Sequence, residues 1–232
     1  PFLTIILLLS SCSDDDDPII PVSNTIVDVA VNNNLTSLVA AVTRADLAST
    51  LAGPGPFTVF APTNAAFQEL LDANGWNSVD DIPVEDLRSV LLFHTLSGKV
   101  RSNDLSDTYV NTLSEGPNDE AISLQVEVSG AIEFNGDAKP VTVDVEASNG
   151  VVHVIDKVML PPTIVDLALN NAGFTSLVAA LTDPRHTNID FVEVLSGDGP
   201  FTVFAPTNDA FQALLDLNAD WNSLGDIPIA TL

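Results

Sequence analysis

Apolar residues recur along this chain at two different periods. Ile26, Val27, Val29 and Ala30, then Leu35, Leu38, Val39 and Val42, fall three and four apart, which predicts two short amphipathic helices. Asn34 or Thr36 is placed to cap the second. Phe57, Thr58, Val59 and Phe60 are aromatic or β-branched and lie between Gly53-Pro54-Gly55-Pro56 and Ala61-Pro62, the pattern of a strand. Thr63 then stands as N-cap of a helix carrying Ala65, Ala66, Phe67, Leu70 and Leu71. Residues 86–96 read as a further helix, with Leu87, Val90, Leu91 and His94 on or near one face. From Lys99 onward the period is two. Residues 122–128 alternate apolar and polar, and 132–134 and 141–145 look like neighbouring strands across Ser129-Gly130 and Asn135-Gly136 turns. After Asn149-Gly150, residues 151–160 predict a long apolar last strand. Helices early and strands late give an α+β class with a β-rich half.

The chain also repeats itself. Phe57-Thr58-Val59-Phe60-Ala61-Pro62-Thr63-Asn64 returns as Phe201-Thr202-Val203-Phe204-Ala205-Pro206-Thr207-Asn208. Thr25-Ile26-Val27-Asp28 returns at Thr163-Ile164-Val165-Asp166, and Trp76-Asn77-Ser78 at Trp221-Asn222-Ser223. A period near 140 residues exceeds any solenoid repeat and indicates tandem globular units. The expected organisation is a first unit at 25–162 and the front half of a second at 163–232, which matches the first only up to Leu87. A longer polypeptide is therefore expected, whose continuation supplies the rest of the second copy.

Charge narrows the function. The chain holds 32 acids against 7 bases, for a net charge of −25. Residues 13–24 carry −4, residues 25–162 carry −13 and residues 163–232 carry −8, so no segment hides a basic patch. That distribution excludes nucleic acid as a partner, since phosphate binding needs Lys and Arg to displace counterions. It equally excludes docking to an anionic membrane through a basic face.

Residues 2–9 are apolar except for Thr4, too short to span a bilayer, and are followed by Ser10-Ser11-Cys12. This pattern reads as the remnant of a secretory signal at 1–12, and Leu9-Ser10-Ser11-Cys12 resembles a bacterial lipobox. Cys12, the single cysteine, is then the lipidation point, and residues 13–24 with Asp14 to Asp17, Pro18 and Pro21 form an acidic, extended linker. The expected location is the cell envelope, as an extracytoplasmic outer-membrane or cell-surface lipoprotein touching the membrane only through Cys12.

The two motifs of the first unit resemble those of fasciclin-like adhesion domains. Phe57 through Asn64, with Phe67 after it, is similar to the family's first signature. Asn149-Gly150-Val151-Val152-His153-Val154-Ile155-Asp156 is similar to its second. Phe93-His94 stands where the family commonly has an aromatic-His pair, with Phe in place of the more usual Tyr. The resemblance implies an α+β domain with N-terminal helices packed on a twisted, β-sandwich-like wedge. It implies a non-enzymatic adhesion role toward cell-surface or matrix proteins or polysaccharides, and makes Phe93 and His94 a candidate partner-binding edge.

Read by their own chemistry, these residues favour packing. His94 on a mostly apolar helix face predicts a buried imidazole bonded to backbone, holding its helix against the first-signature strand. Neither His-x-x-x-His nor Glu-x-x-His occurs, so no metal site is expected, and no cofactor fingerprint is present. Gly53-Pro54-Gly55-Pro56 precedes a strand, whereas a phosphate cradle follows one, so it reads as a turn. No catalytic residue is assigned. A competing expectation is an envelope carrier of a small apolar ligand, held in a cavity rimmed by His94.

Overall fold

The computed structural model describes residues 24–116, 119–197, 199 and 201–231; the expectations for Cys12 and the linker fall outside them. Helix α1 (Ile26–Asn32) starts at a reciprocal cap, in which the Thr25 hydroxyl accepts from Asp28 N and the Asp28 carboxylate accepts from Thr25 N. Helices α2 (Thr36–Arg44) and α3 (Ala48–Leu51) follow. The cap of α2 differs from expectation. Leu35 occupies the N-cap position without a side-chain bond, and the acceptor for Ser37 N is Asn64 Oδ1, 3.0 Å away. Asn64 lies just after strand β1 (Phe57–Pro62), as the first residue of α4 (Asn64–Asn74). Its Nδ2 also donates to Asn34 O at 2.9 Å. Thr63 caps α4 itself, accepting from Ala66 N.

Helix α5 runs over Val84–Phe93, beginning and ending earlier than the apolar spacing suggests. Strand pairing ends it, because Thr95 lies opposite Val59 in β2 (Thr95–Ser97) and Phe60 N donates to His94 O. Strands β3 (Thr108–Glu115), β4 (Ala121–Glu127), β5 (Glu133–Phe134), β6 (Pro140–Ala147) and β7 (Gly150–Ile155) complete the unit. β3 was not visible in the sequence, since four of its eight positions face solvent. β7 is shorter than expected. Asp156 exchanges two hydrogen bonds with the Lys139 backbone, and the chain then turns to carry Met159 back into the core.

The strands form two sheets, β2-β1-β7-β6 and β3-β4-β5, with β1 and β7 parallel from Phe57↔Gly150 to Pro62↔Ile155. Two cores lie on either side of β1, as the two-residue side-chain period requires. On the helix side, Val59 and Ala61 pack with Val152, Val154, Leu87, Leu91 and the apolar faces of α1 to α4. On the other side, Phe60 packs with Phe93, Leu124, Val126, Phe134, Ile155 and Met159 between the two sheets. Register depends on two glycines. A Cβ on Gly150 would lie 2.1 Å from Phe57 O, and one on Gly55 2.0 Å from Asn149 O, so only glycine admits the close approach of these strands.

The second segment repeats the helices as α6 (Ile164–Leu169), α7 (Thr175–Leu181), α8 (Phe191–Leu195) and α9 (Asn208–Leu215). Its caps repeat too: Thr163 with Asp166, Thr207 for α9, and Asn208 Oδ1 accepting from Ser176 N at 2.9 Å. Residues 201–206 pair with no strand among the described residues.

Candidate functional site

The residues singled out by the sequence converge on the junction of α5, β1 and β7. Phe93 and His94 are both buried, so neither presents a surface to a partner. Met159 N donates to His94 Nε2 at 3.0 Å, which leaves the proton on Nδ1, donated to Val90 O at 2.7 Å. Burial holds the His94 pKa down from 6.5 to about 4, against a smaller opposing effect of the Val90 carbonyl. Through its two ring nitrogens and its own carbonyl, His94 ties α5 to β1 and to the segment after β7. That is a joint, with no nitrogen left for acid–base work.

His153 lies on β7, also buried, with its ring stacked on Phe60 at 5.6 Å. Asp144 N donates to its Nδ1 at 3.3 Å, and its Nε2 donates to Val100 O at 2.9 Å. Ser102 stands nearby, so Ser, His and Asp meet in one place, but in an order that does not relay a proton. The Ser102 hydroxyl donates to Asp144 Oδ2 at 2.5 Å, not to the imidazole, and Ser102 N donates to Oδ1. The hydroxyl bond is the main reason the Asp144 carboxyl sits below its usual range. A nucleophile needs a base within hydrogen-bond reach, and both nitrogens of this histidine are committed to backbone.

The other signature residues hold backbone in place. Thr58, fully buried on β1, donates to Gly98 O and accepts from Val100 N, both at 2.8 Å. Phe67 and Ile155 are core residues, and Asp156 fixes the start of β6 through Lys139. Asn149 does the most. Its Oδ1 accepts from Ile26 N at 2.9 Å, and its Nδ2 donates to Leu51 O and Gly53 O, each at 2.8 Å. One side chain therefore joins α1, the end of α3 and the β6–β7 turn. Its place beside Gly150 marks it in the sequence as a turn residue only; the partners lie about a hundred positions away.

Every base on the chain is engaged. Lys99 and Arg101 share Glu146, Lys139 meets Glu133, Lys157 meets Asp137, and Arg185 meets Asp183. Arg44 meets Asp80 and the Ile82 carbonyl, and Arg88 donates to Ala45 O. Most of the other acids among the described residues are exposed. Among the described residues no three His, Cys, Asp or Glu side chains gather as metal ligands, and no helix is long and apolar enough to cross a membrane.

The fasciclin-domain family profile matches residues 33–161 and again 172–224. The chain belongs to the fasciclin-domain family. Similar proteins include protein sll1483 of a Synechocystis species, 40% identical over 139 residues, spanning 60% of this chain and 74% of that protein. Protein sll1735 from the same organism is 38% identical over 136 residues, covering 58% of this chain and 96% of its own length. Human periostin is 30% identical over 189 residues, 79% of this chain but 21% of periostin, so the fasciclin chain here corresponds to a small part of that protein. Among solved structures, a FAS1 domain pair from the insect cell adhesion molecule fasciclin I aligns with a TM-score of 0.43 at 20% identity, covering 82% of this chain and 63% of that one.

Proposed function

We propose that this fasciclin chain is a non-enzymatic binding protein of the extracytoplasmic surface, in which tandem units at 25–162 and 163–232 engage cell-surface or matrix proteins or polysaccharides. The observation that carries this reading is the double fasciclin match. The joint-like use of His94 and His153 supports its non-enzymatic part, since the side chains best suited to chemistry are committed to backbone. Binding then belongs to the exposed loops and faces around the joint. Tandem copies raise apparent affinity by making the second contact intramolecular. Attachment through a lipid on Cys12 belongs to the same reading and rests on the apolar run and the acidic linker.

The competing carrier reading loses its support in the first unit. The cavity beside His94 measures about 30 Å³, far below the several hundred that an organic ligand fills.

A −25 chain repels anionic glycans until salt screens it, so protein and neutral-glycan partners are favoured. Surface-plasmon measurements on immobilised matrix proteins and on neutral and sulfated glycans, across a range of salt, test this. Binding that holds or strengthens as salt rises supports the proposal; tight low-salt binding to sulfated glycans overturns it. For the anchor, a Cys12→Ala change is expected to abolish incorporation of labelled fatty acid and to release the protein from the membrane fraction.

A further inference from the structure

One face of the first unit carries polar groups that its own fold leaves unused. In the sheet β3-β4-β5, successive side chains of a strand point to opposite sides. Val110, Leu124, Val126 and Phe134 face the core, so Tyr109, Asn111, Ser123 and Gln125 face outward. Register sets these four in two cross-strand pairs, Tyr109 opposite Gln125 and Asn111 opposite Ser123. Tyr109, the chain's single tyrosine, is 49% exposed and is the one exposed aromatic among the described residues of the first unit. Hydrogen bonds within the face decide what remains available. Ser123 Oγ donates to Asn111 Oδ1 at 3.1 Å, which leaves Asn111 Nδ2 as an unspent donor. Gln125 Nε2 donates to Glu127 Oε1 at 2.6 Å, which leaves Gln125 Oε1 as an unspent acceptor. The Tyr109 hydroxyl, able to do either, has no protein partner among the described residues.

We propose that this face binds a neutral polysaccharide, one sugar ring stacking on Tyr109 while its hydroxyls bond to Asn111, Gln125 and the tyrosine oxygen. The inference rests on the adhesion reading and names its partner. Neighbouring strands lie about 5 Å apart, and side chains on one face about 7 Å apart along a strand, so one pyranose reaches all three groups. A sugar hydroxyl both donates and accepts, the combination that Nδ2, Oε1 and the phenol offer. An equatorially substituted pyranose also presents a face of C–H groups, and a tyrosine ring supplies contact area at low entropic cost. Charge decides against an anionic chain. The four outward residues are neutral, whereas Glu115 stands at one end of the face and Glu127 opposite Glu133 at the other. Lys139 is already paired with Glu133, so a uronate or sulfate meets repulsion. A protein partner fits less well. It needs a cluster of apolar anchors within about 800 Å² a side, and here one ring stands among amides and a hydroxyl.

The test titrates the full 232-residue chain with cellohexaose, and with hexagalacturonic acid as the anionic counterpart, by calorimetry and amide NMR. Expected are cellohexaose binding that salt leaves unchanged, amide shifts centred on 109–111 and 123–125, and weaker binding of hexagalacturonic acid at low salt. Tyr109→Ala should weaken cellohexaose binding about tenfold, through loss of the stacking ring. Tyr109→Phe keeps the ring and should lose only about threefold, the share of one hydrogen bond. The side chain is exposed, so both variants should keep the parent's urea midpoint. The shift map needs no variant and decides the matter even where Tyr109→Ala is destabilised. Failure of cellohexaose to bind, shifts centred elsewhere, tighter binding of hexagalacturonic acid, or equal affinity in Tyr109→Ala each overturns the proposal. Loss of binding to an immobilised matrix protein in Tyr109→Ala, with cellohexaose inert, overturns it in favour of a protein partner. That last result leaves the adhesion reading standing, so the two fail separately.

Discussion

Phe60 is fully buried and Phe204 is 92% exposed, although each is the fourth residue of the same octapeptide. The helices around them agree: α1 and α6, α2 and α7, and α4 and α9 begin at matching residues with matching caps. The copies therefore diverge where structure depends on distant chain. A helix satisfies its backbone within a few residues, whereas a strand needs partners, and β1 finds them in β2 and β7, roughly 40 and 90 positions on. Phe60 also has Phe93, Leu124, Phe134 and Met159 around it, whereas residues 163–232 match the first copy only up to Leu87.

The largest effect that tests this contrast is a pair of truncations. Phe60→Ala removes a ring that touches Phe134 at a centroid distance of 4.5 Å and stacks on His153. It should cost about 3–5 kcal/mol in urea unfolding of the first unit. Phe204→Ala should change stability by less than about 0.5 kcal/mol. Comparable losses at the two sites would mean that Phe204 is covered in solution.

Acid separates the copies next. His94 has a folded pKa of about 4 against 6.5 when unfolded, so between these values the unfolded first unit binds the extra proton. Its stabilising contribution is complete above pH 6.5 and is lost as pH falls toward 4, by roughly 3 kcal/mol. Asp144 and Glu146 also have lowered pKa values, and their contributions fade only as pH falls through the ordinary carboxylate range and below. The window from 6.5 to 4 thus reports on His94. Denaturant melts across it should show a slope that His94→Gln flattens. His186, the one histidine within residues 163–232, sits in a loop with Nε2 against Ala180 O and is no counterpart.

How much of this was legible in the sequence follows the same division. The helices, Thr63 as cap, strand β1, the turns at 135–136 and 149–150, and the buried backbone-bonded reading of His94 all rest on neighbours in sequence, and the structure has them. The partner-binding expectation for Phe93 and His94 came from family resemblance, and burial removes the surface it requires. β3 was invisible because Thr108, Tyr109 and Asn111 face solvent and its pairing with β4, not its own composition, makes it a strand. The α2 cap was misplaced because its acceptor, Asn64, lies 27 residues beyond the amide it serves. Asn149 looked like a turn residue because a turn is its local role. Its bonds to Ile26, Leu51 and Gly53 exist only once the sheet has brought those segments together.

The smallest effect is the one on which the copies should agree. Asn64 and Asn208 each accept from the amide of the second residue of a helix, α2 and α7 respectively, at 3.0 and 2.9 Å, and each donates back to a carbonyl before that helix, at 2.9 and 2.8 Å. This clamp needs only α2 with α4, or α7 with α9, and both pairs are in contact. Replacing either asparagine with alanine should cost about 1 kcal/mol locally, a typical value for a lost helix cap. Amide exchange at Ser37 in one variant and at Ser176 in the other should then quicken by a similar factor, about fivefold. If Asn208→Ala left Ser176 unchanged while Asn64→Ala exposed Ser37, the clamp would depend on the completed sheet after all. The division between local capping and distant pairing would then move into the helical layer.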